Sequence, residues 1–351
     1  MPSPAASRVT LEQVAAAAGV AVSTASKVLN GRPHVSAATR SRVEAAFEQL
    51  AYAPTTGPRG GAAPRSVTVV FRTLADTYAT RVLEGVLAAA RDHDVEVLVD
   101  VLHATDGRAG REGVAPPPLS PAWVRRQAAQ RTGLVLVTSD PTTEQLALLR
   151  AHGVVTVHVD PANPLDDSTV SVGSANFSGG VQATRHLLEL GHRRIAFAGG
   201  APTFAPSAER LQGFLSTMRS TGVDADDTLV RERSHTFEAG VAMADELLGL
   251  PQPPTAVFAA SDSIALGVLA SAQRHGLRVP QDVSVVGFDD SAAAVSSVPA
   301  LTTVRQPVAE MGRVALRTLL QVARGEGVDS HHVELATTLV VRDSTAPPAG
   351  V

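Results

Sequence analysis

The decisive stretch is VAAAAGVAVSTASKVLNG, residues 14–31, where two helical patterns meet at one glycine. Just upstream, Thr10 stands where a helix cap belongs, and Gln13 falls where a capping box wants Glu or Gln. Leu11, Val14, Ala15 and Ala18 recur at helical spacing, and Gly19 supplies the positive φ that ends the segment. A second pattern runs through Val22, Ala25, Val28 and Leu29 and closes at Asn30-Gly31. Downstream, Ser36 can cap a third helix in which Val43, Ala46, Phe47 and Leu50 form one apolar stripe, ended by Tyr52 and Pro54. Three short helices with a tight glycine turn between the first two suggest a helix-turn-helix. In such units the second helix enters the major groove while the first crosses the backbone. Ser23, Thr24, Ser26, Lys27 and Asn30 supply donors of the kind that phosphates and base edges accept. A plain three-helix bundle fits the same periodicity.

Charge separates this head from the rest. Residues 1–65 hold seven Lys or Arg against three Asp or Glu, a balance of +4; the whole chain of 351 residues carries −4, so the remainder carries −8. A basic head on an acidic body suits a polyanionic partner, although an ordinary solvated surface can carry the same charges. The chain is 44% hydrophobic but only 3% aromatic, so its cores must be packed from Ala, Val and Leu. It has no run of apolar residues long enough for a membrane span and no basic start followed by an apolar stretch. Together with the absence of cysteine, this points to a cytoplasmic protein without disulfides or thiolate metal ligands.

Residues 9–54, VTLEQVAAAAGVAVSTASKVLNGRPHVSAATRSRVEAAFEQLAYAP, go further. They resemble the DNA-binding head of the lactose-repressor/galactose-repressor family almost throughout. The V-T-x-x-x-V-A-x-x-A-G-V start, the T-x-S-[RK]-V-x-N of the recognition helix, and the V-S-x-x-T-R and L-x-Y-x-P that follow all stand here at the right spacing. The resemblance implies that Val22, Ser23 and Lys27 face base edges. Lys27 can donate to guanine O6 and N7, Val22 can touch a thymine methyl, and Ser23 is an adaptable donor or acceptor. It also implies phosphate contacts for Thr10, Thr24, Ser26, Asn30, His34, Ser36 and Thr39; His34 can equally be read as a loop histidine. One departure is Ala21, where the family usually has a capping Ser or Thr; loss of such a cap costs about 1 kcal/mol.

The linker weakens the match. Residues 55–66 read TTGPRGGAAPRS, where resembling proteins carry a hinge helix with a leucine that wedges into the minor groove. Gly60 and Gly61 stand near the leucine position, flanked by Pro58 and Pro64. Gly costs about 1 kcal/mol and Pro about 3 kcal/mol within a helix, so no stable hinge helix is expected. Arg59 and Arg65 can line the minor groove as a basic arm, or the segment can be a flexible tether.

Beyond it, apolar β-branched runs alternate with helical patterns. SVTVVF (66–71), VEVLVDVL (95–102), GLVLV (133–137), VVTVHV (154–159), VSV (170–172), RRIAFAG (193–199), TLVRE (228–232), TAVFAA (255–260) and VSVVGF (283–288) predict strands. Helices are predicted near 79–92, 143–151, 178–190, 207–221, 237–248 and 263–275. Repeated βα units imply parallel sheets covered by helices on both faces. No G-x-G-x-x-G, Walker-type, H-E-x-x-H or G-x-S-x-G fingerprint is present, so no cofactor, metal or catalytic residue is expected.

The second half resembles the same family again, in NFSGG, HLLELGHRRIAFAGG, ERLQGF, FAASDSIALGVLASAQRHGLRVPQDVSVVGFDDS and PALTTVRQP. With the head, the resemblance spans roughly residues 8–342. It implies a small all-α head (8–54), a degenerate hinge (55–65), and a periplasmic-binding-protein-like α/β body (66–342) of two doubly wound subdomains with an effector in the cleft. Chain crossings are expected near 160, 290 and 325. The N-subdomain would then be 66–160 plus 291–325 and the C-subdomain 161–290 plus 326–342. The tail 343–351, DSTAPPAGV, is expected to be disordered, and no C-terminal leucine heptad suggests a tetramer.

Open α/β sheets bind ligands outside the carboxyl ends of their strands. Asp289 follows VSVVGF, and Ser261 and Asp262 follow TAVFAA, which places all three there. By resemblance Arg210 and Asp289 hold effector hydroxyls, the guanidinium as a donor fork and the carboxylate as an acceptor; an Arg–carboxylate bridge is the alternative. Thr73, Phe177, His235, Ser261 and Gln306 are further candidates; His235 stands about where relatives place a stacking aromatic, and Asp262 reads as a helix cap. The adjacent Asp289-Asp290 raises acid–base catalysis, but neighbours at a strand end face opposite ways. Two departures bear on the ligand: Ala175-Asn176 replaces the usual Asp-Asn, and residues 103–121 form a long Gly/Pro-rich loop, functional or disordered, ending in a Ser120-Pro121 helix start. The expectation is a homodimeric transcriptional regulator, a repressor, that binds a near-palindromic DNA operator under control of a carbohydrate-like effector. Rival readings are a DNA-binding regulator with no small-molecule effector and a solute-binding receptor.

Overall fold

A computed structural model describes residues 9–29, 35–50, 66–74, 77–102, 121–130, 133–139, 141–163, 169–223 and 225–349. Asn30, His34, the linker 55–65 and loop residues 103–120 lie outside them.

Helix α1 (Leu11–Ala17) opens with a reciprocal capping box. Thr10 N–H donates to Gln13 Oε1 at 2.8 Å and Gln13 N–H to Thr10 Oγ1 at 3.3 Å. Gly19, at φ 62°, turns the chain, and Val20 N–H closes the turn onto Ala15 O at 3.0 Å. Helices α2 (Val22–Leu29) and α3 (Ala37–Gln49) follow. Val14, Ala15, Ala18, Ala25, Val28, Val43 and Ala46 make one small core. Every member is Val or Ala, so the helices approach closely and α2 is held by its inner face.

The body contains two six-stranded sheets. In chain order come β1 (Ser66–Phe71), α4 (Thr77–His93), β2 (Glu96–Val101), α5 (Pro121–Gln130), β3 (Gly133–Val137), α6 (Thr143–Ala151), β4 (Thr156–Val159) and β5 (Val170–Ser174). Then come α7 (Asn176–Glu189), β6 (Ile195–Gly199), α8 (Ala205–Ser220), a 3-10 turn, β7 (Val230–Glu232), α9 (Phe237–Leu248), β8 (Ala256–Ala259), α10 (Asp262–Arg274) and β9 (Ser284–Asp289). The chain ends through α11 (Ala292–Ser296), β10 (Thr302–Arg305), α12 (Val308–Ala323), β11 (His332–Leu335) and β12 (Thr338–Val340). The first sheet has the order β11-β5-β4-β3-β1-β2 and the second β12-β10-β9-β8-β6-β7; among the described strands only β12 runs antiparallel to its neighbour.

These pairings move the crossings. The chain passes between sheets after Ser174, after Arg305 and after Leu335, so the expected crossings near 160, 290 and 325 all come too early. Strand β5 belongs with the first sheet and β10 with the second. The cause is non-local: VSV reads as a strand by itself, but only its register with β4 (Val157 opposite Val170) says which sheet it joins. Helix α12 returns to the first layer and packs on α4, burying Val308, Met311, Ala315 and Leu319 with Val82 and Val86. The contact is backbone-close: a Cβ on Gly312 would fall 2.2 Å from Val82 O, and one on Gly85 1.7 Å from Ala309 O.

The tail is also corrected. Residues 343–349 are ordered against the second sheet. Ser344 is fully buried, donating to Val285 O at 2.6 Å and accepting from Thr302 N–H at 2.8 Å. Val285 N–H donates to Ser344 O, and Ala346 N–H to Ser284 Oγ. Small, Pro-rich composition resembles that of a loose end, yet here the Ser and Thr hydroxyls supply partners that the end of the sheet needs.

Candidate functional site

Two sites take shape. On α2, Val22 is 43% exposed and Ser23 and Lys27 are exposed, while Ala25 and Val28 are buried on the opposite side. Positions 22, 23, 26 and 27 share one face because residues four apart stack along a helix. Thr24 and Ser26 sit half-buried at its edges. Thr10 and Ser36 are exposed, and Thr39 is half-buried beside Ser36. The Thr10 and Ser36 hydroxyls also bond locally. Thr10 caps α1, and Ser36 accepts from Thr39 N–H at 3.2 Å while donating to Thr39 Oγ1 at 2.9 Å. At the start of α2, Ala21 O accepts from Thr24 and Ala25 N–H at 2.8 and 3.0 Å, and its exposed methyl leaves the first-turn donors without a side-chain cap.

The second site lies where the carboxyl ends of the two sheets' strands face each other. Arg210 on α8 is 4% exposed and held on several sides. Its Nε donates to Asn176 Oδ1 at 2.9 Å, one terminal nitrogen donates to Ala260 O at 2.6 Å, and its guanidinium carbon sits 3.8 Å over the Phe288 ring. Asp289 Oδ1 lies 3.9 Å away, an ion pair at the outer limit of direct contact. Burial pulls the Arg210 pKa down while Asp289 and Asp160 push it back up. Burial raises the Asp289 carboxyl to about 7, opposed by Arg210. Gln306, buried between the subdomains, donates to Asp289 Oδ1 at 2.5 Å and accepts from Ser174 Oγ at 2.6 Å.

Backbone strain sets this arrangement. Asp289 and Asp290 have φ of 122° and 54°, a left-handed pair that only a tightly held loop maintains. It turns the two carboxylates apart: Asp290 pairs with Arg305 at 2.6 Å and with Arg342, away from Asp289. The two acids therefore share no proton. Asp262 accepts from Thr303 Oγ1 at 2.6 Å and from Ser291 N–H at 2.7 Å, so it braces the strand ends. The cap of α10 is instead Ser261, accepting from Ile264 N–H at 3.3 Å.

The remaining candidates spread around the rim. Phe177, on the first turn of α7, is 46% exposed, and Thr73 is half-buried just beyond β1. His235 packs on the second subdomain, its ring edge-on to Phe204 at 5.1 Å. A Cβ on Gly200 would fall 1.6 Å from His235 Cε1, so the ring lies flat on bare backbone. Burial, then the charges of Arg210 and Arg72, lower its pKa to about 3.

Three partners were not foreseen from sequence. Tyr78 on α4 donates to Asp160 Oδ2 at 2.6 Å, and Asp160 Oδ1 accepts from Ser174 N–H at 3.3 Å. Burial raises both pKa values, and the charges of Arg210 and Asp289 both reach Tyr78. Asp160 follows VVTVHV, the same strand-end signal that identified Asp289; Tyr78 has no such mark. Asn176 stands out in sequence only as part of a departure, and it is the residue that orients Arg210.

The chain is similar along nearly its whole length to known proteins. The model described as bacterial regulatory proteins, lacI family, matches residues 10–55, and one described as periplasmic binding protein-like domain matches residues 184–345. HTH-type transcriptional regulator CelR of Thermobifida fusca is 35% identical over 345 residues, covering 96% of this chain and 98% of that protein. HTH-type transcriptional repressor CytR of Escherichia coli strain K12 is 32% identical over 341 residues, covering 96% of each. A solved CelR–cellobiose complex superposes with TM-score 0.72 at 33% identity, over 96% of this chain and 100% of that one. The lac repressor dimer bound to operator and the anti-inducer ONPF gives 0.68 at 27% identity, over 97% and 100%.

Proposed function

This chain belongs to the lacI family of bacterial regulatory proteins, and on that premise we propose that it is a homodimeric transcriptional repressor whose grip on a near-palindromic operator is set by a carbohydrate-like effector in the cleft. The observation that carries the DNA half is the outer face of α2, where Val22, Ser23 and Lys27 project together from a helix held by its opposite side. Lys27 and Ser23 read base edges, Val22 meets a methyl group, and Thr10, Thr24, Ser26, Asn30, His34, Ser36 and Thr39 set the register on phosphates.

The effector half rests on Arg210 and Asp289, a donor fork and an acceptor matched to vicinal hydroxyls and bridging to Gln306 at the crossing. Phe177, Thr73, Ser261 and His235 complete the walls. The solved relative that carries cellobiose supports a sugar-like ligand. Ligand contacts from both subdomains would close the cleft and change the spacing of the two heads, a coupling of about 1–3 kcal/mol. A binding role for the cleft is supported by relatives that are transcriptional regulators and by two adjacent carboxylates that point apart. Among the described residues no helix is long and apolar enough to cross a membrane, and a DNA-reading role fits work in the cytoplasm, at the nucleoid.

A thermal-shift screen of sugars and nucleosides, followed by operator binding with each hit, tests the whole reading. A hit that changes operator affinity supports it. Intact operator binding with no responsive ligand would leave a regulator that ignores small molecules.

A further inference from the structure

Among the described residues, the cleft holds an arginine whose charge has no ion-pair partner. Arg72 follows β1, at the carboxyl end of a strand inside the first sheet, and is exposed. Among the described residues it makes no hydrogen bond and no ion pair, whereas Arg210 donates to Asn176 and Ala260, stacks on Phe288 and faces Asp289. Across the cleft stands His235, whose buried Nε2 has no hydrogen-bond partner among the described residues. A buried polar atom without a partner costs about 1–3 kcal/mol, so this nitrogen is one that a ligand group can satisfy. The electrostatics tie the two walls together, because the charges of Arg72 and Arg210 both bear on the His235 ring.

We propose that the effector carries an oxyanion, a carboxylate or a phosphate, that seats between Arg72 on one wall and His235 Nε2–H on the other. The inference rests on the effector reading above and sharpens it: the ligand is a sugar acid or sugar phosphate rather than a neutral sugar. The guanidinium fork offers paired donors to two oxygens of one anionic group, and the imidazole supplies the third donor. One wall comes from each subdomain, so the anion itself draws the cleft shut. The hydroxyls are left to Asp289 and to the donors of Arg210 beyond those given to Asn176 and Ala260.

The test compares neutral and anionic partners on the full-length chain by calorimetry: cellobiose against cellobionate, and glucose against gluconate and glucose 6-phosphate. At least one anionic member should bind about tenfold or more tightly than its neutral parent, the scale of one charge-assisted contact. Arg72→Gln should erase that ratio while leaving the neutral sugar's affinity in place, and Arg72→Lys should recover part of it. A second readout needs no knowledge of the sugar: inorganic phosphate, but not chloride at equal ionic strength, should move the His235 ring resonance in the wild-type chain and not in Arg72→Gln. Neutral sugars binding as tightly as their anionic partners, or a ratio unchanged in Arg72→Gln, would overturn the inference and leave the sugar reading standing. If phosphate leaves His235 unmoved and neither series binds, the anion site falls, while the effector reading is decided by the wider screen of sugars and nucleosides.

Discussion

At the scale of single residues, specificity and response separate cleanly. Lys27 is exposed on α2 and supports no core contact, so Lys27→Ala should leave the fold intact. A well-placed base contact discriminates by about 1–3 kcal/mol, so the variant should lose preference for operator over scrambled DNA while keeping its salt-dependent nonspecific binding. Competition gel shifts read this directly. Arg210→Ala removes the fork stacked on Phe288 and should abolish the effector response with operator binding retained. Asp289→Asn, which keeps the shape, should do the same, and a normal response in both variants would remove this pocket from the account. Asp289 also makes a pH prediction. Its folded pKa is raised by burial to about 7, so the folded chain holds its proton more tightly than the unfolded chain does. Its contribution to stability is full below the ordinary carboxylate value and is lost as pH rises through the folded one. The stability gap between Asp289→Asn and wild type, from thermal unfolding, should favour the variant more at pH 8 than at about pH 5.5. A gap that does not change with pH would mean the carboxyl is not perturbed. The position of Asp289 at a strand end and of Lys27 on the outer face of a helix is legible in the sequence, whereas Arg210 is singled out only by the family resemblance. Tyr78 was not legible, since its partner Asp160 lies 82 positions away and only folding brings the two together.

At the scale of elements, the recognition helix and the tail carry the sharpest expectations. Ala21 leaves α2 without a side-chain cap, and its methyl is exposed, so Ala21→Ser can be accommodated without repacking. The new hydroxyl should stabilise the head by about 1 kcal/mol, read as a raised melting temperature of the head transition in the full chain. A lowered temperature would contradict the capping argument. Ser344→Ala should destabilise the body by about 1–3 kcal/mol, because it strips a partner from Thr302 N–H and from Val285 O inside the sheet end. Chemical denaturation of the full chain measures the loss. Helix and strand positions were readable from periodicity; α6 and α9 fall where the pattern puts them. The tail was not readable, because its order depends on acceptors and donors presented by β9 and β10 rather than on its own composition.

At the scale of the whole molecule, a basic reader is joined to an acidic control body. The crossings show where sequence reasoning ran out: β5 and β10 look like any strand, and their sheet membership follows from register with partners distant in the chain. The placement matters for mechanism. With the passages at Ser174, Arg305 and Leu335, the hydrogen bond from Ser174 to Gln306 joins two of the three strands of the hinge, next to Asp289. A ligand at Asp289 is therefore poised to act on the hinge itself. The claim on which all of this depends is that the outer face of α2 sits in a duplex groove, and footprinting on sites selected from random duplex at low salt addresses it most directly. The expected result is a symmetric protected site, weakened steeply by salt and lost in Lys27→Ala. Folded dimeric protein that protects no symmetric site under those conditions would contradict it.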